Sequence, residues 1–153
     1  MAVPKPIRTA AGSYTGASTL HLWTSEGIQK DEGPSKLHIE FDRNTKYATV
    51  TYTWTYKGKE QEGTILIASD DEGKDVTMGW TDNWHMSAGV LHLKGAVKDD
   101  EISCKGKYAA PPGPDWGWRI TLESSEDSLT LKMYNATPKG EEAIAVEAIY
   151  RLE

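Results

Sequence analysis

Asp82 and His85 stand three residues apart in Trp80-Thr81-Asp82-Asn83-Trp84-His85-Met86, a segment that also carries two indoles. A carboxylate and an imidazole at this spacing are the ingredients of proton transfer. Aromatic walls that exclude water raise a carboxyl pKa, and a nearby carboxylate keeps an imidazole charged. The competing reading is architectural, with both side chains hydrogen-bonded to loop backbone where a strand ends. A second segment, Tyr108-Ala109-Ala110-Pro111-Pro112-Gly113-Pro114-Asp115-Trp116-Gly117-Trp118-Arg119, delivers two more indoles, a carboxylate and a guanidinium behind three prolines. Proline fixes φ and Pro112-Gly113 suits the centre of a type II turn, so this is a rigid corner that leads Trp116 and Trp118 onto one face of a strand. Arg119 projects to the other face unless a bulge intervenes. An inward Arg119 needs a carboxylate partner, Glu147 or Glu62, or else forks onto a ligand carboxylate or phosphate.

Other chemistries find less support. His21, His38 and His92 fall in separate strand patterns without ligand spacing, so no metal site is expected. A haem held by His85 alone is disfavoured because a lone histidine is usually structural, and no cofactor is expected. The single Cys104 excludes an internal disulfide and a zinc site of several cysteines, and its strand setting reads as a small buried hydrophobe. Gly-x-Ser-x-Gly, a local Cys/His pair and a Gly-rich phosphate loop are all missing, which leaves nucleophilic hydrolysis unsupported. Asn135-Ala136-Thr137 matches a glycosylation acceptor, yet before Pro138 it reads as turn chemistry.

The elements that must position these residues are strands. Period-2 alternation recurs from about Ser13 to Leu152, with strands expected at 13–24, 35–43, 47–56, 60–68, 74–82, 87–95, 101–108, 116–124, 128–135 and 142–152. The links are short and imply hairpins. A meander of about ten antiparallel strands hides its edges best by closing into a barrel, so the expected fold is all-β, a closed up-and-down barrel over 11–153 behind an N-terminal tail, 1–10. The longer connection at about 25–34 is expected as a helical turn at Glu26–Lys30 or a disordered loop. In the third strand Val50, Tyr52, Trp54 and Tyr56 share the face taken as internal, opposite Thr49, Thr51, Thr53 and Thr55. In the last strand either face could be the internal one.

Bulk properties narrow the partners. Asp+Glu 23 against Lys+Arg 17 gives a formal net charge of -6 with scattered basic residues, which argues against nucleic acid. No apolar run approaches the roughly 18 residues of a membrane span and no leader is evident, so a cytoplasmic setting is expected. Six Trp and seven Tyr against one Phe favour rings with a polar handle, which suit barrel mouths and pocket walls.

Gly12-Ser13-Tyr14-Thr15-Gly16, Tyr52-Thr53-Trp54, Gln61-Glu62-Gly63, Trp80 through Met86, Tyr108 through Arg119, Met133-Tyr134-Asn135 and Ala145-Val146-Glu147-Ala148 resemble the DUF1579 family of bacterial proteins. At the level of fold that family is similar to calycins such as lipocalins, fatty-acid-binding proteins and nitrobindins. The resemblance implies a closed barrel with a central pocket. It does not carry over a ligand, because the chain ends Tyr150-Arg151-Leu152-Glu153 where ferric-haem relatives place a histidine, and it lacks the Arg-x-Tyr of fatty-acid binders.

The leading expectation is a barrel that binds a small apolar or aromatic molecule. Tyr52, Trp54, Trp80, Trp84, Trp116 and Trp118 line its pocket, and Asp82, His85, Arg119 and Glu147 orient the ligand. The first rival is a cofactor-independent isomerase, cyclase or lyase with His85 as base and Asp82 as its orienter. The second is a barrel filled by its own rings that acts through its surface as a homodimer or adaptor, a reading favoured if no internal void reaches about 300 Å3.

Overall fold

The computed structural model describes residues 1–86 and 89–153. Ten antiparallel strands form the wall: β1 Gly12–Thr24, β2 Gly27–Phe41, β3 Ala48–Tyr56, β4 Lys59–Ser69, β5 Asp75–Asp82, β6 Leu91–Lys98, β7 Glu101–Tyr108, β8 Trp116–Ser125, β9 Ser128–Ala136 and β10 Glu142–Leu152. Each strand pairs with its sequence neighbours, and β10 pairs back onto β1, closing the barrel. Alternation places one face of each strand in the core, as with Tyr52 and Trp54 of β3, Met78 and Trp80 of β5, and Trp118, Ile120 and Leu122 of β8. In β10 the internal face is Val146, Ala148 and Tyr150, after a register shift between Ile144 and Val146.

Two segments depart from the expected pattern. The stretch 25–34 is a two-residue turn, Ser25-Glu26, followed by the first residues of β2. β1 and β2 stay paired out to Thr24 and Gly27, so the two strands run on as a ribbon. β10 leaves β1 after Leu20–Val146, and β3 pairs with β2 only from Lys36. Outside the barrel both faces of the ribbon meet solvent, which removes the alternation that marks a strand. The strand expected at 87–95 begins at Leu91, with 87 and 88 outside the described residues.

The two ends of the barrel are closed differently. At one end the segment before β1 forms a short 3-10 turn, Lys5–Ile7, and buries Val3, Ile7 and Ala10. Ala2 is bridged to Ser69, and the Val3 amide donates to the Thr45 carbonyl. At the other end the turn after β5 carries Trp84 and His85 inward. Among the described residues no helix is long and apolar enough to cross a membrane.

Candidate functional site

Asp82 ends β5 on its internal face and is 2% exposed. A buried carboxylate must have its lone pairs satisfied, and each oxygen here takes two donors. Oδ2 accepts from the Tyr52 hydroxyl at 2.7 Å and the Trp54 indole N–H at 3.2 Å. Oδ1 accepts from the backbone N–H groups of Trp84 and His85 at 2.9 and 3.1 Å, an Asx turn that folds the chain back over the barrel end. The Trp80 indole donates to the Tyr52 hydroxyl at 2.9 Å, extending the network around the wall. Burial pushes the Asp82 carboxyl upward, but the adjacent His85 ring and the donated hydrogen bonds outweigh it and hold the group below its ordinary value. The expected rise from desolvation is therefore reversed, chiefly by the His85 ring, with the Tyr52 hydroxyl and the His85 backbone N–H adding to it.

His85 sits inside a box of indoles. Its ring centroid is 4.7 Å from Trp84, 5.4 Å from Trp54, 5.7 Å from Trp80 and 5.5 Å from Trp118, while Trp80 and Trp118 stack at 5.2 Å. Nδ1 lies 3.4 Å from Asp82 Oδ1, within ion-pair range but without hydrogen-bond geometry. Among the described residues, both ring nitrogens of His85 and Nε1 of Trp118 are buried without a hydrogen-bond partner. Such groups cost stability unless something fills their need, so they are the atoms to ask about.

His85 separates two spaces. On the inner side a void of about 10 Å3, room for about one water, is lined by Ser18, Tyr52, Asp82 and Tyr150. Nearby, the hydroxyls of Ser35 and Tyr150 are 2.7 Å apart and Ser35 donates to the Thr53 carbonyl. The void lined by these lumen residues thus falls far below about 300 Å3, and among the described residues rings occupy the lumen. On the outer side, at the mouth, a cavity of about 230 Å3 lies between His85, Trp84 and Trp118 and the splayed strands β1 and β10, where Leu20, Leu22 and Ile144 form its apolar wall. A larger open concavity of about 820 Å3 runs along the outer faces of β1 to β5 past Lys36, His38, Thr51 and Thr81. Lys36, His38, Thr51 and Thr81 there face water, whereas the smaller, half-open mouth cavity is walled by indoles and aliphatic side chains; neither it nor the inner void reaches about 300 Å3, the outcome expected of a barrel that acts through its surface.

The remaining expected site residues divide. Tyr52, Trp54, Trp80, Trp84 and Trp118 converge on Asp82 and His85. Trp116 does not; it pairs with Tyr108 where β7 and β8 begin to diverge. Arg119 faces outward and forks onto Glu142, with Nε to Oε2 at 2.8 Å and one terminal nitrogen to Oε1 at 3.0 Å, over the Tyr134 ring. Its carboxylate partner is therefore neither Glu147 nor Glu62. Glu147 is also external, 3.6 Å from Lys132. The turn before β8 is closed by Gly113 N–H to the Ala110 carbonyl, which centres it on Pro111-Pro112 instead of Pro112-Gly113. Asn135, expected as turn chemistry, instead lies in β9, where alternation from Leu131 and Met133 puts it on the internal face; it lines the mouth cavity and accepts from the Tyr108 hydroxyl at 2.5 Å. Among the described residues no three of His, Cys, Asp and Glu converge as metal ligands.

The crystal structure of Rv2717c from M. tuberculosis is similar to this chain with a TM-score of 0.65, covering 99% of each chain at 13% identity, a likeness of fold. No functionally curated protein matches the sequence. The family described as "Protein of unknown function (DUF1579)" matches residues 11–151, nearly the whole barrel, and the chain belongs to that family.

Proposed function

We propose that the protein binds a small, largely apolar ring compound at the barrel mouth, between the indole box and the splayed ends of β1 and β10. The observation that carries this reading is the buried Trp118 Nε1 and His85 ring, unpartnered among the described residues, beside a half-open cavity of about 230 Å3. Aromatic stacking and apolar burial supply affinity, and the few polar atoms supply orientation. The calycin-like architecture is compatible with this use, with the ligand at the mouth because the lumen is filled. Titration with a panel of aromatic metabolites is expected to change tryptophan fluorescence saturably and to raise the melting temperature. A panel that leaves both unchanged contradicts the proposal and favours a barrel that acts through its outer surface.

A second reading draws on the Asp82–His85 pair. A histidine oriented by a fully bonded carboxylate, with its far nitrogen unpartnered, has the layout of a general base. On that reading His85→Gln abolishes turnover of the bound compound while leaving its affinity within a few fold; loss of affinity alone returns the site to binding.

A further inference from the structure

We infer that the mouth takes an extended peptide with an aromatic side chain, its backbone pairing with the free edges of β1 and β10 while its ring fills the cavity beside Trp84 and Trp118. The inference rests on the mouth-binding reading and names its ligand class.

The ladder between β1 and β10 ends at the Leu20 and Val146 pair, yet both strands run on past it. Over 21–24 β1 is paired on one side with β2, and over 142–144 β10 is paired on one side with β9. Among the described residues the two facing edges have no ladder partner. Ala145, at the register shift between Ile144 and Val146, pairs with neither neighbouring strand and stands where the two edges part. A bulge of this kind bends its strand and ends the pairing. The mouth cavity lies between the edges, lined by residues 20–23 of β1 and 143–145 of β10, each in unbroken succession. Successive residues of a strand point to opposite faces, so a cavity that touches all of them runs along the strand edge and not over one face. An edge offers a row of N–H and C=O groups at a fixed repeat, and the ligand that answers such a row is another strand. A ring compound without amides covers the apolar wall but leaves both rows to water. An added strand needs its flanking strands about 9–10 Å apart, twice the ordinary spacing, so the peptide enters at the open end, beyond Leu20 and Val146. Its inward side chain meets Leu20, Leu22, Trp84 and Trp118, a lining that suits a ring. The cavity of about 230 Å3 takes one such side chain, since about 150 Å3 already admits benzene.

The test compares acetyl-Ala-Phe-Ala-amide, the same peptide N-methylated along its backbone, acetyl-Ala-Ala-Ala-amide and toluene by tryptophan fluorescence and thermal shift on the full chain. The Phe peptide is expected to bind about tenfold or more tightly than each of the other three, because only it brings both the ring and the backbone donors. With that peptide bound, amide hydrogen exchange is expected to slow within 20–24 and 142–146, and toluene is expected to leave both segments unchanged. If toluene saturates and the Phe peptide binds no more tightly than toluene or than its N-methylated form, edge pairing is wrong while the mouth-binding reading stands. Peptide binding without slower exchange in both segments also overturns the inference. An all-Ala peptide that matches the Phe peptide overturns it too, because the ring then selects nothing. If neither toluene nor any peptide saturates, the mouth-binding reading fails and this inference falls with it.

Discussion

Asp82 is the residue on which the site depends. Its two oxygens satisfy two side-chain donors and two backbone donors, all close to or inside the core. Asp82→Ala leaves those donors unpaired and is expected to lower unfolding free energy by roughly 3 kcal/mol or more, read as a fall in urea midpoint. Asp82→Asn turns an NH2 toward donors on one side and is expected to recover only part of that loss. The same carboxylate gives stability a dependence on acid. Because its folded pKa is held below the ordinary value, its contribution is full above the unfolded value of about 4 and is lost as pH falls through the folded one. Acid denaturation monitored by circular dichroism is expected to be shallower in Asp82→Asn than in wild type. The sequence made Asp82 and His85 visible through their spacing and the indoles around them. It could not reveal that Tyr52 and Trp54 donate to the carboxylate, since that depends on where they meet β5 across the lumen.

At the scale of elements, Gly63 of β4 makes room for the site. A Cβ added there would lie 2.3 Å from the Tyr52 ring and hydroxyl, so even alanine must displace the residue that donates to Asp82. Gly63→Ala is expected to cost roughly 1–3 kcal/mol and to disturb the near-ultraviolet tryptophan spectrum, whereas Gly58→Ala, in an open turn, is expected to leave that spectrum intact. Tyr52 and Gly63 are register partners on β3 and β4, which explains why the segments around them stood out together in the sequence. The β1–β2 ribbon was not legible for the opposite reason. From Glu26 to Lys30 the chain has no core to face, so residue type carries no alternation, and Trp23 and Ile28 pair across the ribbon while each is more than half exposed. The ribbon nevertheless shapes the site, since Leu22 reaches the mouth cavity beyond the point where β10 leaves β1.

For the whole molecule, closure of ten strands followed from short links and period-2 alternation, but the contents of the lumen did not. Filling is a sum over the volumes of Trp54, Trp80, Trp118, Tyr52 and Tyr150 at particular heights, and no local pattern encodes that sum. The filled core has an alkaline consequence. Burial pushes Tyr150 and Cys104 up to about 12 from ordinary values of 10.0 and 9.0, so between about pH 9 and 12 the unfolded chain releases protons that the folded chain retains. Stability is therefore expected to fall as pH rises through that window, and equilibrium urea unfolding at pH 8 and pH 11 checks it. The filled lumen also moves the functional claim to the mouth, where Trp118 and His85 carry the unpartnered atoms. Proton–nitrogen NMR of the six indole N–H groups during titration with the aromatic compound that gives the largest thermal shift tests that claim most directly, with Trp118→Phe identifying its resonance. The Trp118 signal is expected to shift saturably while that of Trp116, which does not line the mouth cavity, stays in place; a Trp118 signal that does not move, or indoles that all drift together without saturation, would contradict it.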